Sequence, residues 1–133
     1  MKFASIRIIT ADIKPLIAFY EKITGFSVVQ YTEDFAELRT PTIVLAIGST
    51  RTLQLFGGAH LATPASNRSV ILEFQVDDVD AAYHNLEKYL GDNIVQTPTT
   101  MPWGNRSMLF HDTNGNLVNF FTPVTPGANE KVN

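Results

Sequence analysis

Two stretches of the chain alternate apolar and polar residues and then change rhythm. Ile6-Arg7-Ile8-Ile9-Thr10 reads as a strand and ends on Asp12, which has the chemistry of a helix N-cap. Ile13, Leu16, Ile17, Tyr20 and Ile23 then fall on one face of a helix that Gly25 should stop. The pattern recurs 66 positions later: Leu72-Glu73-Phe74-Gln75-Val76 leads to Asp78, followed by Val79, Ala82, Tyr83, Leu86 and Leu90, with Gly91 as the stop. Pro15 sits in the first turn of its helix, where a missing N–H is tolerated.

Short strands follow each helix. In the first half the alternation predicts Phe26–Tyr31, Phe35–Arg39, Ile43–Gly48 and Thr52–Phe56. In the second it predicts Ile94–Gln96, Arg106–His111 and Leu117–Phe121, with Asn114-Gly115 as a tight turn. Thr52–Phe56 is expected to be the counterpart of Leu117–Phe121. The prediction is an α+β protein of two βαβββ repeats, forming an open, cleft-bearing half-barrel about a pseudo-two-fold. One domain over 1–122 is expected: repeat one at about 3–58, a linker at about 59–68, and repeat two at about 69–122. A flexible polar tail should occupy 123–133.

Composition narrows the function classes. With 133 residues, 44% of them hydrophobic, the chain can bury a core without staples. A net charge of −3 offers no electrostatic case for nucleic acid. The run Ile43–Ile47 is far shorter than the ~18 residues of a membrane span. Cysteine is absent, which excludes disulfides and thiolate chemistry. The expected location is the cytoplasm. His60, His84 and His111 have no spacing that presents two imidazoles together, and no serine lies in a nucleophile turn.

The ordered set Asp12-Ile13 through Ala18-Phe19-Tyr20, Gly25-Phe26, Phe74-Gln75-Val76-Asp77-Asp78, Pro102-Trp103-Gly104-Asn105-Arg106 and Asp112-Thr113-Asn114-Gly115-Asn116 resembles the vicinal oxygen chelate superfamily. That superfamily holds glyoxalase I, extradiol dioxygenases and bleomycin-resistance proteins. Thr113 departs from the proline common in relatives. The resemblance implies a divalent metal at four strand positions, which match Ser5, Gln54, Ile71 and Asn119. Isoleucine cannot ligate, serine is a poor ligand, and the amides are neutral, so the expectation is no metal and no cofactor. The resemblance also implies a homodimer.

Strand alternation assigns Ile6, Ile8, Leu53, Leu55, Leu72, Phe74, Val76, Val118 and Phe120 to a helix-covered core face. The opposite face should carry a ligand on Arg7, Gln54, Phe56, Glu73, Asn119 and Phe121, with Trp103 offering a flat surface at a loop. Arg7 and Glu73, equivalent in the two repeats, are expected to pair. Arg106 is expected to fix its loop against Asp112 or a backbone carbonyl, or to touch ligand. The leading reading is a metal-free binder of a drug-like or metabolite-like molecule, with sequestration of an antibiotic as one form of that role. The alternatives are a metal-independent lyase or isomerase using Glu73 as acid or base, and a degenerate enzyme serving as an interaction module. The balance leans away from catalysis.

Overall fold

The computed structural model describes residues 1–125, and the remainder of the expected tail lies outside the described residues. The element order is β1 (Ser5–Thr10), α1 (Ile13–Thr24), β2 (Val29–Thr32), β3 (Phe35–Arg39), β4 (Val44–Ser49), β5 (Ile71–Gln75), α2 (Val79–Leu90), β6 (Ile94–Thr100), β7 (Asn105–His111) and β8 (Leu117–Pro123). The α+β class and the two βαβββ halves are therefore present. Each half forms a four-stranded sheet, in the orders β1-β4-β3-β2 and β5-β8-β7-β6. The chain divides into two compact units, one built on Met1–Asn67 and the other on Arg68–Asp112 with the stretch from Asn116 onward.

Local chemistry sets the helix limits. The Asp12 carboxylate accepts from the Lys14 N–H at 3.1 Å, and Asp78 does the same for Ala81 at 3.1 Å, satisfying donors that have no partner within the helix. Gly25 ends α1 in the left-handed region at φ 73°, which a side chain would disfavour. α1 buries Ile13, Leu16, Phe19, Tyr20 and Ile23 against its sheet, where Ala36, Leu38, Leu45 and Ile47 are also buried. In the second unit Val79, Leu86 and Leu90 of α2 are buried, as are Met108, Phe110, Val118 and Phe120 of the sheet. Each Val, Leu, Ile, Met or Phe among them contributes roughly 1.5–3 kcal/mol through removal from water.

The main correction concerns Thr52–Phe56. Residues Thr50–Leu55 form a 3-10 turn, not a strand, and the parallel partner of β1 is β4. Ser49 caps this turn, accepting from the Arg51 N–H at 3.2 Å, while the Thr52 hydroxyl donates back to the Ser49 carbonyl at 2.7 Å. These local side-chain bonds compete with a ladder. Leu53 is buried as expected, but Leu55, expected in the core, is 91% exposed. β2 starts at Val29, later than predicted. β6 runs on through Pro98 to Thr100, because it is an edge strand whose register shifts between Gln96 and Thr99.

Candidate functional site

Cross-strand register determines which side chains share a face. In the first unit Arg7 lies opposite Ala46, which lies opposite Glu37, and Ile9 lies level with Gly48 and Phe35. Their neighbours Ile8, Ile47 and Ala36 form the row turned toward the buried core, so Arg7 and Phe35 stand on the other face. The Arg7 guanidinium carbon is 4.9 Å from the Phe35 ring centre and 5.5 Å from that of Phe56. Tyr31 stacks on Phe35 with centroids 6.1 Å apart. Gly48 makes room for this cluster: a β-carbon there would stand 3.0 Å from the Thr52 hydroxyl and 3.5 Å from Arg7 Cδ. The 3-10 turn thus delivers Phe56, 68% exposed, to Arg7, although not by way of a strand. Gln54 is exposed on the same turn.

In the second unit Glu73, Asn119, Leu109 and Gln96 form one cross-strand row, and Gln75, Phe121, Ser107 and Thr99 the next. Asn119 Nδ2 donates to Glu73 Oε2 at 2.9 Å, while among the described residues the buried Asn119 Oδ1 has no hydrogen-bond partner. Phe121 is 9% exposed. Arg7 and Glu73, expected to pair, have these partners within their own units: two rings for Arg7 and an amide for Glu73. A shallow pocket of about 210 Å³ lies between Gln75, Val76, Asp77, Thr122 and Pro123. That is below the roughly 300 Å³ at which drug-sized sites begin.

Two further residues stand away from these faces. Among the described residues Arg106 is held neither by Asp112 nor by a carbonyl; it donates from Nε to Asp80 Oδ2 at 2.9 Å and from Nη1 to Thr100 at 3.1 Å. The guanidinium beside Asp80 holds that carboxyl below the usual range. Asp112 is instead buried in its turn, accepting from Asn116 N at 3.0 Å and Asn116 Nδ2 at 2.8 Å. Trp103 is 51% exposed in the β6–β7 turn, where the Gly104 N–H donates to Met101 O.

The β1–β4 pairing also revises the metal comparison. Ile71 aligns with Leu117 as Ser5 does with Val44, so the counterpart of Asn119 is Ala46, and Gln54 is not at a matched position. Ser5, Ala46, Ile71 and Asn119 include no imidazole or carboxylate, which is a donor set that does not fit a divalent metal. Among the described residues no three His, Cys, Asp or Glu side chains gather. The residue that sequence reasoning missed is Phe35, whose alternation with Ala36 was visible but whose proximity to Arg7 depends on strand order.

Solved structures share this architecture. A glyoxalase/bleomycin resistance protein/dioxygenase family enzyme from Burkholderia phytofirmans PsJN superposes with a TM-score of 0.81 at 18% identity, covering 93% of this chain and 100% of that one. A glyoxalase/bleomycin resistance protein/dioxygenase from Nocardioides gives 0.78 at 22% identity, covering 96% and 86%. TioX from Micromonospora sp. ML1 gives 0.67 at 21%, covering 93% and 100%. At such identities the likeness establishes fold alone. The search of curated proteins found no match. The sequence itself matches one family over residues 2–120, spanning both βαβββ units as far as the middle of β8. The chain belongs to the glyoxalase/bleomycin resistance protein/dioxygenase superfamily.

Proposed function

We propose that this protein binds a small, partly aromatic organic molecule without a metal, sequestering it in the manner of bleomycin-resistance proteins. The observation that carries this reading is the cluster of Arg7 with Phe35 and the exposed Phe56 on the sheet face turned from α1. Exposed rings are costly in water and gain when a planar molecule covers them. The buried, unpartnered Asn119 Oδ1 supports it from the second unit, since a donor on a ligand would relieve the desolvation cost of that oxygen. The lack of imidazole or carboxylate at Ser5, Ala46, Ile71 and Asn119 supports the metal-free part. Gln54, Trp103 and Phe121 remain in the proposed ligand set, in a homodimer in the cytoplasm with neither nucleic acid nor membrane as partner. Among the described residues, no helix is long and apolar enough to cross a membrane.

A thermal-shift screen of planar drugs and metabolites tests this reading. A ligand that binds only the folded state stabilises it by about 2.7 kcal/mol at a hundredfold excess over Kd, a readily measured rise in Tm. Binding without turnover is expected, with quenching of Trp103 fluorescence. A library in which no planar compound raises Tm would overturn it.

A second reading makes Glu73 a general base, and the Asn119 Nδ2 contact that orients its carboxylate favours it. It requires a compound that the protein consumes and that Glu73→Gln, still folded, leaves intact.

A further inference from the structure

We propose that the ligand of the first unit is an aromatic carboxylate, gripped by the edge of the Arg7 guanidinium while its ring joins the Phe35–Phe56 cluster. This deepens the small-molecule reading above and rests on it.

The argument starts from where the charges on this sheet face are spent. Glu37 is the nearest acidic position in register, two strands from Arg7 with Ala46 between them, which is roughly 10 Å at the ordinary strand spacing. Its carboxylate is already engaged, accepting from Arg39 Nη2 at 2.8 Å. Of the acids near the 3-10 turn, Asp34 is likewise committed, to Arg51 at 2.7 Å and to the Ser49 hydroxyl at 2.7 Å, while Glu33 and Asp12 act on Arg51. Among the described residues Arg7 has no ion-pair partner, so this face holds one uncompensated positive charge.

The two rings engage that cation in a way that leaves its directional chemistry unspent. Ring contacts at 4.9 and 5.5 Å from the guanidinium carbon use its charge, and among the described residues Arg7 donates no side-chain hydrogen bond. Its five N–H donors point outward in the guanidinium plane, in the fork geometry that matches a carboxylate bidentately. Rings beside a cation also limit the side chain's freedom, so less entropy is lost when an anion docks. The exposed Phe56, and Tyr31 stacked on Phe35, extend an apolar surface next to the fork. A carboxylate attached directly to a planar ring satisfies both parts together. A neutral ring leaves the fork to water, and a small anion leaves the rings uncovered.

The test uses the full-length protein with salicylate, its neutral counterpart salicylamide, and acetate, followed by calorimetry at low ionic strength. Salicylate should bind at least about tenfold more tightly than either of the others, with affinity falling as salt rises. Arg7→Met should remove about that tenfold while leaving salicylamide within about threefold, and Arg7→Lys should recover only part of it. Phe56→Ala should weaken salicylate but not acetate. Both side chains are exposed, and circular dichroism checks that the variants fold. Equal binding of salicylate and salicylamide, or salicylate affinity unchanged in Arg7→Met, overturns the aromatic-carboxylate assignment while small-molecule binding stands. If no planar compound of either charge binds, both readings fall together.

Discussion

Replacing Asp112 by alanine should destabilise the protein more than any other single change in the β7–β8 turn. The carboxylate is buried, with the residue 3% exposed. It accepts two hydrogen bonds from Asn116, one from the backbone N–H at 3.0 Å and one from Nδ2 at 2.8 Å, while Asn116 is itself buried. Alanine removes both acceptors and strands two donors away from water. Each stranded donor costs about 1–3 kcal/mol, so a loss of roughly 2–6 kcal/mol is expected. The backbone bond from Asp112 N to Asn116 O at 3.0 Å survives, which keeps the turn nucleated and the loss at the lower end of that span. For a chain of 133 residues this corresponds to a fall in Tm of roughly 10 °C. Urea unfolding of the wild type, Asp112→Ala, Asn116→Ala and the double variant gives the coupling directly. A loss under about 1 kcal/mol, or coupling below about 0.5 kcal/mol, refutes the reasoning. The effect should also reach ligand binding, because this turn starts β8, the strand that brings Asn119 to Glu73.

Three further outcomes are expected. The Asp80 carboxyl, depressed by its hydrogen bonds to Arg106, should titrate below the ordinary aspartate range by NMR. Its stabilising contribution is present above the unfolded-state pKa and is lost as pH falls through the folded-state value. Asp80→Asn should therefore flatten the acid limb of the stability profile, and an unchanged limb counts against the pairing. After purification without chelator or metal-affinity steps, elemental analysis should find far less than one Zn, Ni, Fe or Mn per chain; a value near one would end the metal-free reading. Sedimentation at micromolar concentration should give twice the 14.8 kDa chain mass, and a monomer there would remove the dimer from the proposal.

Much of the fold was legible because its determinants are local. Asp12 and Asp78 as caps, Gly25 and Gly91 as stops, and the apolar spacing between them delimit both helices within one residue of their observed ends. The 66-residue repeat supplied the two βαβββ halves. Arg7 was visible as a charge on the sheet face opposite the core, since side-chain alternation along a strand needs no knowledge of partners. Thr52–Phe56 was misread for the same reason that it looked convincing. Its apolar alternation is that of a strand, but β4 already occupies the edge of β1, and Ser49 and Thr52 offer the backbone a local alternative. That decision belongs to tertiary structure, because strand order depends on which segment wins the pairing and not on what any segment prefers alone. With it went the register that replaces Gln54 by Ala46 and the arrival of Phe35 and Phe56 at Arg7. Sequence alone determined the caps, the repeat and the faces of the strands that do form; long-range pairing decided which segments those are and which side chains meet on them.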